Sequence, residues 1–386
     1  MRKLKYISLI IAVCLLILCS TINTSKIVVD AVQINTMSTS AKAMCVLEKD
    51  SGRVVAGKNM NTCLPMASTT KIVTALTVIQ NCDNLDELIQ VDDTSIGVEG
   101  SSIYLRKGEL ISVRDLLYGL MLRSGNDSAV ALACHIGGNV EGFASLMNET
   151  AKNVGVNNSN FVTPHGLDHK EHYTTAYDLA KITAYALNNP VFKEIVSTKM
   201  HTVEATNKSD KRYMSNKNRL LNSLNGCIGV KTGYTKRAGR CLVTATERDN
   251  ETFVCVVLNC GPMFEESAML LNTAHGLYDN VKIIDKDREI YNEYIIDKNQ
   301  GKLYLYAEED FCYPIMADEM NKLRLEYSVK LDNAKEGDIV GEIKVFFEND
   351  LLKTIKLVTM NKIDKLIDSE TLAIREILWT DNLNNN

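Results

Sequence analysis

The sequence has no basic surplus. Its 43 lysines and arginines stand against 48 aspartates and glutamates, a formal net charge of -5 at pH 7. Nucleic-acid binders gather positive charge on one face, so this balance supports no nucleic-acid partner. No Cys-x-x-Cys pair occurs among the eleven cysteines, which leaves the usual zinc and dithiol signatures without support. The uncharged apolar run from Tyr6 to Leu18 is too short for an ordinary membrane-spanning helix. There is no internal repeat and no low-complexity block, and 45% apolar with 24% charged residues are ordinary globular values.

What the chain does have begins at its N-terminus. Arg2, Lys3 and Lys5 precede the apolar run, the pattern of an export signal. Residues 1–40 therefore read as a signal peptide or an uncleaved N-terminal anchor, plus a Ser/Thr/Asn-rich linker. Leu18-Cys19 fits a lipoprotein site poorly, and Val29-Asp30-Ala31 is one small-residue candidate for cleavage. The expected location is extracytoplasmic, either secreted or attached to the outer face of the cytoplasmic membrane. Cys14 and Cys19 lie in or beside this leader. Cys134, Cys241 and Cys255 sit in apolar runs, where a free thiol packs as a small hydrophobe.

A chain of 386 residues exceeds what one core usually supports, so two folded units are expected. Ala43 to Glu48 and Arg53 to Lys58 flank Lys49-Asp50-Ser51-Gly52, a hairpin signal. Helical spacing follows at Ile72, Val73, Leu76 and Ile79, at Leu116, Leu117 and Leu120, over Val130 to Ile136, and over Asp178 to Leu187. Arg240 to Glu247 and Thr252 to Asn259 form a second hairpin, and Met263 to Tyr278 a further helix. Strands at both ends with helices between them predict an α/β unit over 41–281 whose antiparallel sheet joins both chain ends. Lys302 to Tyr306, Leu323 to Leu331 and Gly341 to Phe347 then predict a small all-β domain over 282–363. The tail, 364–386, is weakly amphipathic, with Leu366, Ile374, Ile377 and Leu378 on a partial stripe. It carries Asp368, Glu370, Glu376 and Asp381 against Lys365 and Arg375. An acidic tail is a poor anchor for anionic membranes, so packing onto the protein is expected.

Three short motifs fit one mechanism. In Ser68-Thr69-Thr70-Lys71, ahead of an apolar helix, residues three apart share a face, so the lysine amine neighbours the serine hydroxyl. A neutral amine can take the hydroxyl proton, and the helix N-terminus offers N–H groups to an oxyanion. Alone, Ser68 would read equally well as an N-cap beside a solvated Lys71. Ser124-Gly125-Asn126 falls on a turn between helices, where a serine relays protons and an amide holds a peptide carbonyl. This pattern is weak by itself, since Ser223-Leu224-Asn225 matches it. Lys231-Thr232-Gly233 ends a short strand run. A lysine and a hydroxyl there suit a carboxylate, and the glycine lets a substrate backbone approach.

Together and in this order the motifs are those of penicillin-binding proteins and class A β-lactamases. At these residues the chain resembles the low-molecular-mass D-alanyl-D-alanine carboxypeptidases. Thr163-Pro164-His165-Gly166-Leu167, His172-Tyr173-Thr174-Thr175-Ala176, Asn216-Lys217-Asn218-Arg219 and the extended Val230 to Thr235 strengthen the likeness. It covers roughly Ala41 to Asn280 well and the β domain more loosely. The resemblance implies a penicillin-binding fold and a serine-type carboxypeptidase that removes the terminal D-alanine from peptidoglycan stem peptides, without metal or cofactor. Ser68 would be the nucleophile, Lys71 its base and Ser124 a proton relay. Asn126 would bind the substrate amide, Lys231 and Thr232 the terminal carboxylate. Gly233 would leave room for the substrate backbone, and the Ser68 and Tyr234 N–H groups would form the oxyanion hole. β-Lactams would acylate the same serine.

His165, His169 and His172 form no established zinc spacing and read as solvated loop residues. A β-lactamase would share the motifs, but Phe161 to Tyr173 holds Glu171 without a Glu-x-x-x-Asn, and a long β domain is foreign to that class. Endopeptidase action on cross-links would use the same acylation chemistry, and a non-catalytic wall-binding protein could retain the same fold.

Overall fold

The computed structural model describes residues 39–288, 291–297, 301–330, 334–361 and 376–378. The stretch expected to be an export leader therefore lies outside the described residues, apart from the end of its linker, as does most of the acidic tail. Two compact units divide the chain. The first contains the described residues up to Leu47, Val54–Glu247 and Thr252–Thr273, and the second takes Glu48–Arg53, Arg248–Glu251 and the described residues from Ala274 onward.

In the first unit, β1 (Ala43–Glu48), β2 (Val54–Lys58), β7 (Cys227–Thr235), β8 (Gly239–Arg248) and β9 (Glu251–Leu258) form one sheet in the order β2-β1-β9-β8-β7. The first and last parts of the unit thus share a sheet, as the sequence predicts. β9 is buried along its whole length, because its apolar run leaves no polar face for solvent. Asp249 and Asn250 both take positive φ in the β8–β9 turn, the conformation that suits a tight hairpin.

Helices fill the stretch between the two halves of the sheet, and one more follows its last strand. α1 (Lys71–Asn81), α2 (Val113–Tyr118), α3 (Asn126–Gly137), α4 (Val140–Asn153), α5 (Ala176–Ala186), α6 (Pro190–Ser197) and α7 (Met263–Leu277) follow in chain order. Two short ribbons, β3 (Leu88–Gln90) with β4 (Leu110–Ser112) and β5 (Met200–Val203) with β6 (Arg212–Ser215), complete the unit. α1 is buried from Lys71 to Val78, so it is the central helix of a core that also includes Leu116, Leu132, Phe143 and Leu179. α4 and α6 lie outside the helices that the periodicity predicts, yet both have local signals. Phe143, Ala144, Met147 and Ala151 make a buried helical stripe, and the Asn189 side chain accepts from the Val191 and Phe192 N–H groups of α6, whose first residue is Pro190.

The second unit is all β apart from one 3₁₀ segment, Ala317–Lys322, among its described residues from Asp279 onward. β10 (Asp279–Ile284) pairs with β13 (Phe311–Ile315). A second sheet runs β11-β12-β16-β15-β14-β17, formed by Tyr291–Asp297, Gly301–Ala307, Asp350–Asn361, Ile339–Phe347, Leu323–Val329 and Glu376–Leu378. The last of these is the described part of the tail: a strand on β14, with Ile377 opposite Leu325, rather than part of an amphipathic helix.

Candidate active site

The first motif forms a 3₁₀ turn, Ala67–Thr70, that runs directly into α1. Ser68 lies in that turn and Lys71 opens the helix. The Lys71 amine is fully buried and lies 3.0 Å from Ser68 Oγ, 2.7 Å from Asn126 Oδ1 and 2.6 Å from the His165 carbonyl. Burial first, then the charges of Lys231 and Lys217, hold its pKa well below the ordinary lysine value, although Asp127 pulls the other way.

The geometry defines what this amine can do. A neutral amine has two N–H donors and one lone pair. Two of its three neighbours, the Asn126 and His165 carbonyl oxygens, can only accept. The lone pair is left for Ser68, whose hydroxyl is the one neighbour able to donate. Such an arrangement takes a proton from an attacking oxygen.

The second motif is brought to the same amine. Leu122 and Arg123 close a π-helical turn, Gly119–Arg123, after α2. Ser124 then adopts a left-handed backbone, φ 63°, and Asn126 begins α3. Both side chains are buried. This sharp reversal turns the motif back into the interior toward Lys71. Asp127, which belongs to none of the three motifs, secures it by accepting from the Ile103 and Leu105 N–H groups at 3.1 Å. Its signal was available: an acidic residue in the first turn of a helix.

The third motif lies inside β7 rather than at its end, since the strand continues to Thr235. A Cβ on Gly233 would stand 3.0 Å from Met66 O and Ser68 N and 3.1 Å from Thr69 N. Glycine is therefore what lets β7 lie against the serine-bearing turn. Lys231 is buried, and burial with the nearby Lys217 charge lowers its pKa to about 7. Thr232 is half-buried on the strand, and Tyr234 is exposed. Lys217, bonded to Ser101 Oγ at 2.9 Å, has no role predicted from sequence, yet its charge acts on both buried lysines. Three amines in one place, two of them buried, favour an anionic ligand.

The loop from Phe161 to Tyr173 straps the serine turn. Besides the His165 carbonyl, Pro164 O accepts from Thr74 Oγ1 at 2.6 Å, and Thr235 Oγ1 donates to Asp168 at 2.8 Å. A Cβ on Gly166 would fall 2.0 Å from Ala67 O, so no other residue fits there. The expectation of solvated histidines needs correction for two of the three. His172 is buried with Nε2 2.8 Å from Thr70 Oγ1, while Nδ1 accepts from the Val162 N–H at 2.9 Å. With Nδ1 accepting, Nε2 carries the proton and donates to Thr70. Burial holds the His172 pKa at about 3, so the ring stays neutral. His165 is half-buried, its pKa lowered to about 4 by burial and by Lys71. His169 is exposed. Glu171 is exposed too, as is Asp168, so neither loop carboxylate is a buried second base.

The cysteines from Cys45 to Cys312 are free thiols. Cys241 and Cys255 are buried as expected, whereas Cys134 is half-buried and Cys63 exposed.

The chain is similar to known proteins over most of its length. The family profile for D-alanyl-D-alanine carboxypeptidase matches residues 30–261, and that for the C-terminal domain of penicillin-binding protein 5 matches residues 278–365. The D-alanyl-D-alanine carboxypeptidase DacC of Escherichia coli (strain K12) is 30% identical over 85% of this chain and 85% of its own length. DacF of Bacillus subtilis (strain 168) is 28% identical over 84% and 89%. The crystal structure of penicillin-binding protein 5 from Haemophilus influenzae superposes with a TM-score of 0.70 at 26% identity, covering 85% of this chain and 98% of that one. With the three motifs assembled around one buried amine, the chain belongs to the D-alanyl-D-alanine carboxypeptidase family of serine peptidases, the low-molecular-mass penicillin-binding proteins.

Proposed function

We propose that Ser68 is the nucleophile that attacks the D-Ala-D-Ala peptide bond of a peptidoglycan stem peptide, with Lys71 as its general base. The observation that carries this assignment is the buried Lys71 amine 3.0 Å from Ser68 Oγ, its other two neighbours being carbonyl oxygens. Lys71 takes the hydroxyl proton as Ser68 Oγ bonds to the carbonyl carbon. The backbone N–H groups of Ser68 and Tyr234 stabilise the resulting oxyanion. Ser124 passes the proton to the leaving amine, and D-alanine departs. Asn126 holds the amide of the retained peptide, while Lys231 and Thr232 hold the terminal carboxylate. Gly233 keeps β7 close enough for the substrate backbone to pair beside it. Water, deprotonated by the same lysine, then cleaves the acyl ester and restores Ser68. β-Lactams, which present a strained amide and a carboxylate, acylate Ser68 in the same way.

In this reading the chain divides in use as in sequence. Residues 41–281 form the catalytic domain and 282–363 a separate β domain, with 1–40 directing export and 364–386 a tail. The enzyme acts outside the cytoplasm, secreted or at the outer face of the membrane, where its peptide substrate is.

The test is D-alanine release from a peptide ending in D-Ala-D-Ala, by the purified protein and by Ser68→Ala. Release by the parent alone supports the assignment. Equal release by a folded Ser68→Ala protein contradicts it.

A further inference from the structure

The two helices that bear the first and second motifs at their N-terminal ends come together again at their C-terminal ends. α1 finishes at Asn81, with Cys82 as its C-cap residue. α3 carries His135 in its last turn. Between Cys82 and β3 lies Glu87, and the chain there is pinned by Val113 N–H on Glu87 O at 3.2 Å and Arg114 N–H on Leu85 O at 2.7 Å. The three side chains converge: His135 Nε2 is 2.8 Å from Glu87 Oε1, and Cys82 Sγ is 3.4 Å from the same oxygen. All three donor atoms lie within 4.8 Å of one another.

We propose that Cys82, Glu87 and His135 form a binding site for a zinc-class divalent cation, a clamp between the far ends of the two motif-bearing helices. A thiolate, a carboxylate and an imidazole are the zinc donor set, and three protein ligands leave a fourth position for water. Zinc bond lengths set the edges of a tetrahedral site at about 3.4–3.6 Å. The sulfur–oxygen separation already matches that edge, and the nitrogen–oxygen pair needs to open by about half an ångström. The donors come from three separate segments, so the ion would join α1, α3 and the turn before β3. Lys71 begins α1 and Asn81 ends it, so at 1.5 Å per residue the end of the helix that carries the clamp is about 15 Å along its axis from Lys71. Its role is to hold the helices, and the proposed peptidase chemistry does not pass through it.

The test uses Co²⁺ and Zn²⁺ with the purified, metal-stripped protein. One equivalent of Co²⁺ should give the thiolate-to-cobalt charge-transfer band, and Zn²⁺ should displace it. Zn²⁺ at a hundred times its dissociation constant should raise Tm by about 5–10 °C. Cys82→Ser should abolish the band, and His135→Ala and Glu87→Gln should each weaken binding about tenfold or more. Cys63→Ser, which removes the exposed thiol elsewhere, should change nothing. Labelling of Ser68 by a β-lactam in all four variants would show that they are folded. Absence of a thiolate band in the parent would overturn the proposal. So would a band and a Tm shift that survive Cys82→Ser.

Discussion

In the first unit two lysines, Lys71 and Lys231, are buried with their amines against neutral oxygens. In the second unit the buried Glu319 carboxylate meets Arg53, both oxygens at 2.8 Å. The Arg53 guanidinium also lies over the rings of Tyr278, Tyr313 and Phe347 at 4.6–5.1 Å. A buried charge facing only neutral dipoles is costly, so both lysines have lowered pKa values. A buried charge with a bidentate partner and a satisfied shell stays ionised and contributes to a fixed structure. The contrast separates a region held ready for proton transfer from one held together by complementary charge.

The comparison breaks most visibly at its two poles. Lys71→Met should lower turnover by about 10²–10⁴-fold, the usual range for a lost general base, with a stability loss of only about 1–3 kcal/mol, because no charged partner is stranded and only the Asn126 and His165 carbonyl oxygens lose a donor. Steady-state D-alanine release and thermal melting check both halves. The mirror change, Arg53→Met, should leave Glu319 uncompensated and cost about 3–5 kcal/mol of stability. Denaturant unfolding reads that loss, and the folded fraction should keep its turnover on a short soluble peptide.

Titration of Lys231 sharpens the contrast further. Its folded pKa, about 7, lies below the ordinary 10.5, so it is a cation below pH 7 and neutral above. KM for a free-carboxylate substrate should therefore rise above pH 7, by up to about tenfold per unit if the cation alone binds. Stability moves the other way. Between pH 7 and 10.5 the unfolded chain still holds the proton that the folded chain has released, so stability rises with pH across that window. A KM that stays flat from about pH 6 to 9 would remove Lys231 from carboxylate binding. The smallest change is Gly233→Ala, whose Cβ would press on Met66 O and Ser68 N at 3.0 Å. We expect about a tenfold fall in kcat from a displaced serine turn, with Tm nearly unchanged.

Much of this was legible from residues, for reasons that differ by scale. The hairpins and α1 follow from local periodicity and turn chemistry, which the sequence displays over adjacent residues. Ser68 and Lys71 are three apart, so their contact also follows from helix geometry. The contact of Lys71 with Asn126 and with the His165 carbonyl joins positions far apart in sequence, and no local pattern encodes it. The same holds for Thr70 with His172, which reads as a solvated loop residue until the loop is folded over the serine turn. Backbone acceptors such as His165 O leave no side-chain signature at all. β3, β4, β5 and β6 are three or four residues long, too short for alternation to declare itself. Ser124 in a left-handed turn after a π-helical segment is set by its packing, because nothing in Arg123-Ser124-Gly125 demands that conformation of the serine rather than of the glycine.

The central claim is that Lys71 is neutral and basic toward Ser68 at working pH. The direct measurement is the rate of Ser68 acylation by a saturating β-lactam as a function of pH, followed by intact mass. An acid limb whose midpoint lies well below the ordinary lysine value of 10.5, with a plateau above it, is the predicted result. A rate that keeps climbing through about pH 10, as an ordinary solvated lysine would give, would contradict it.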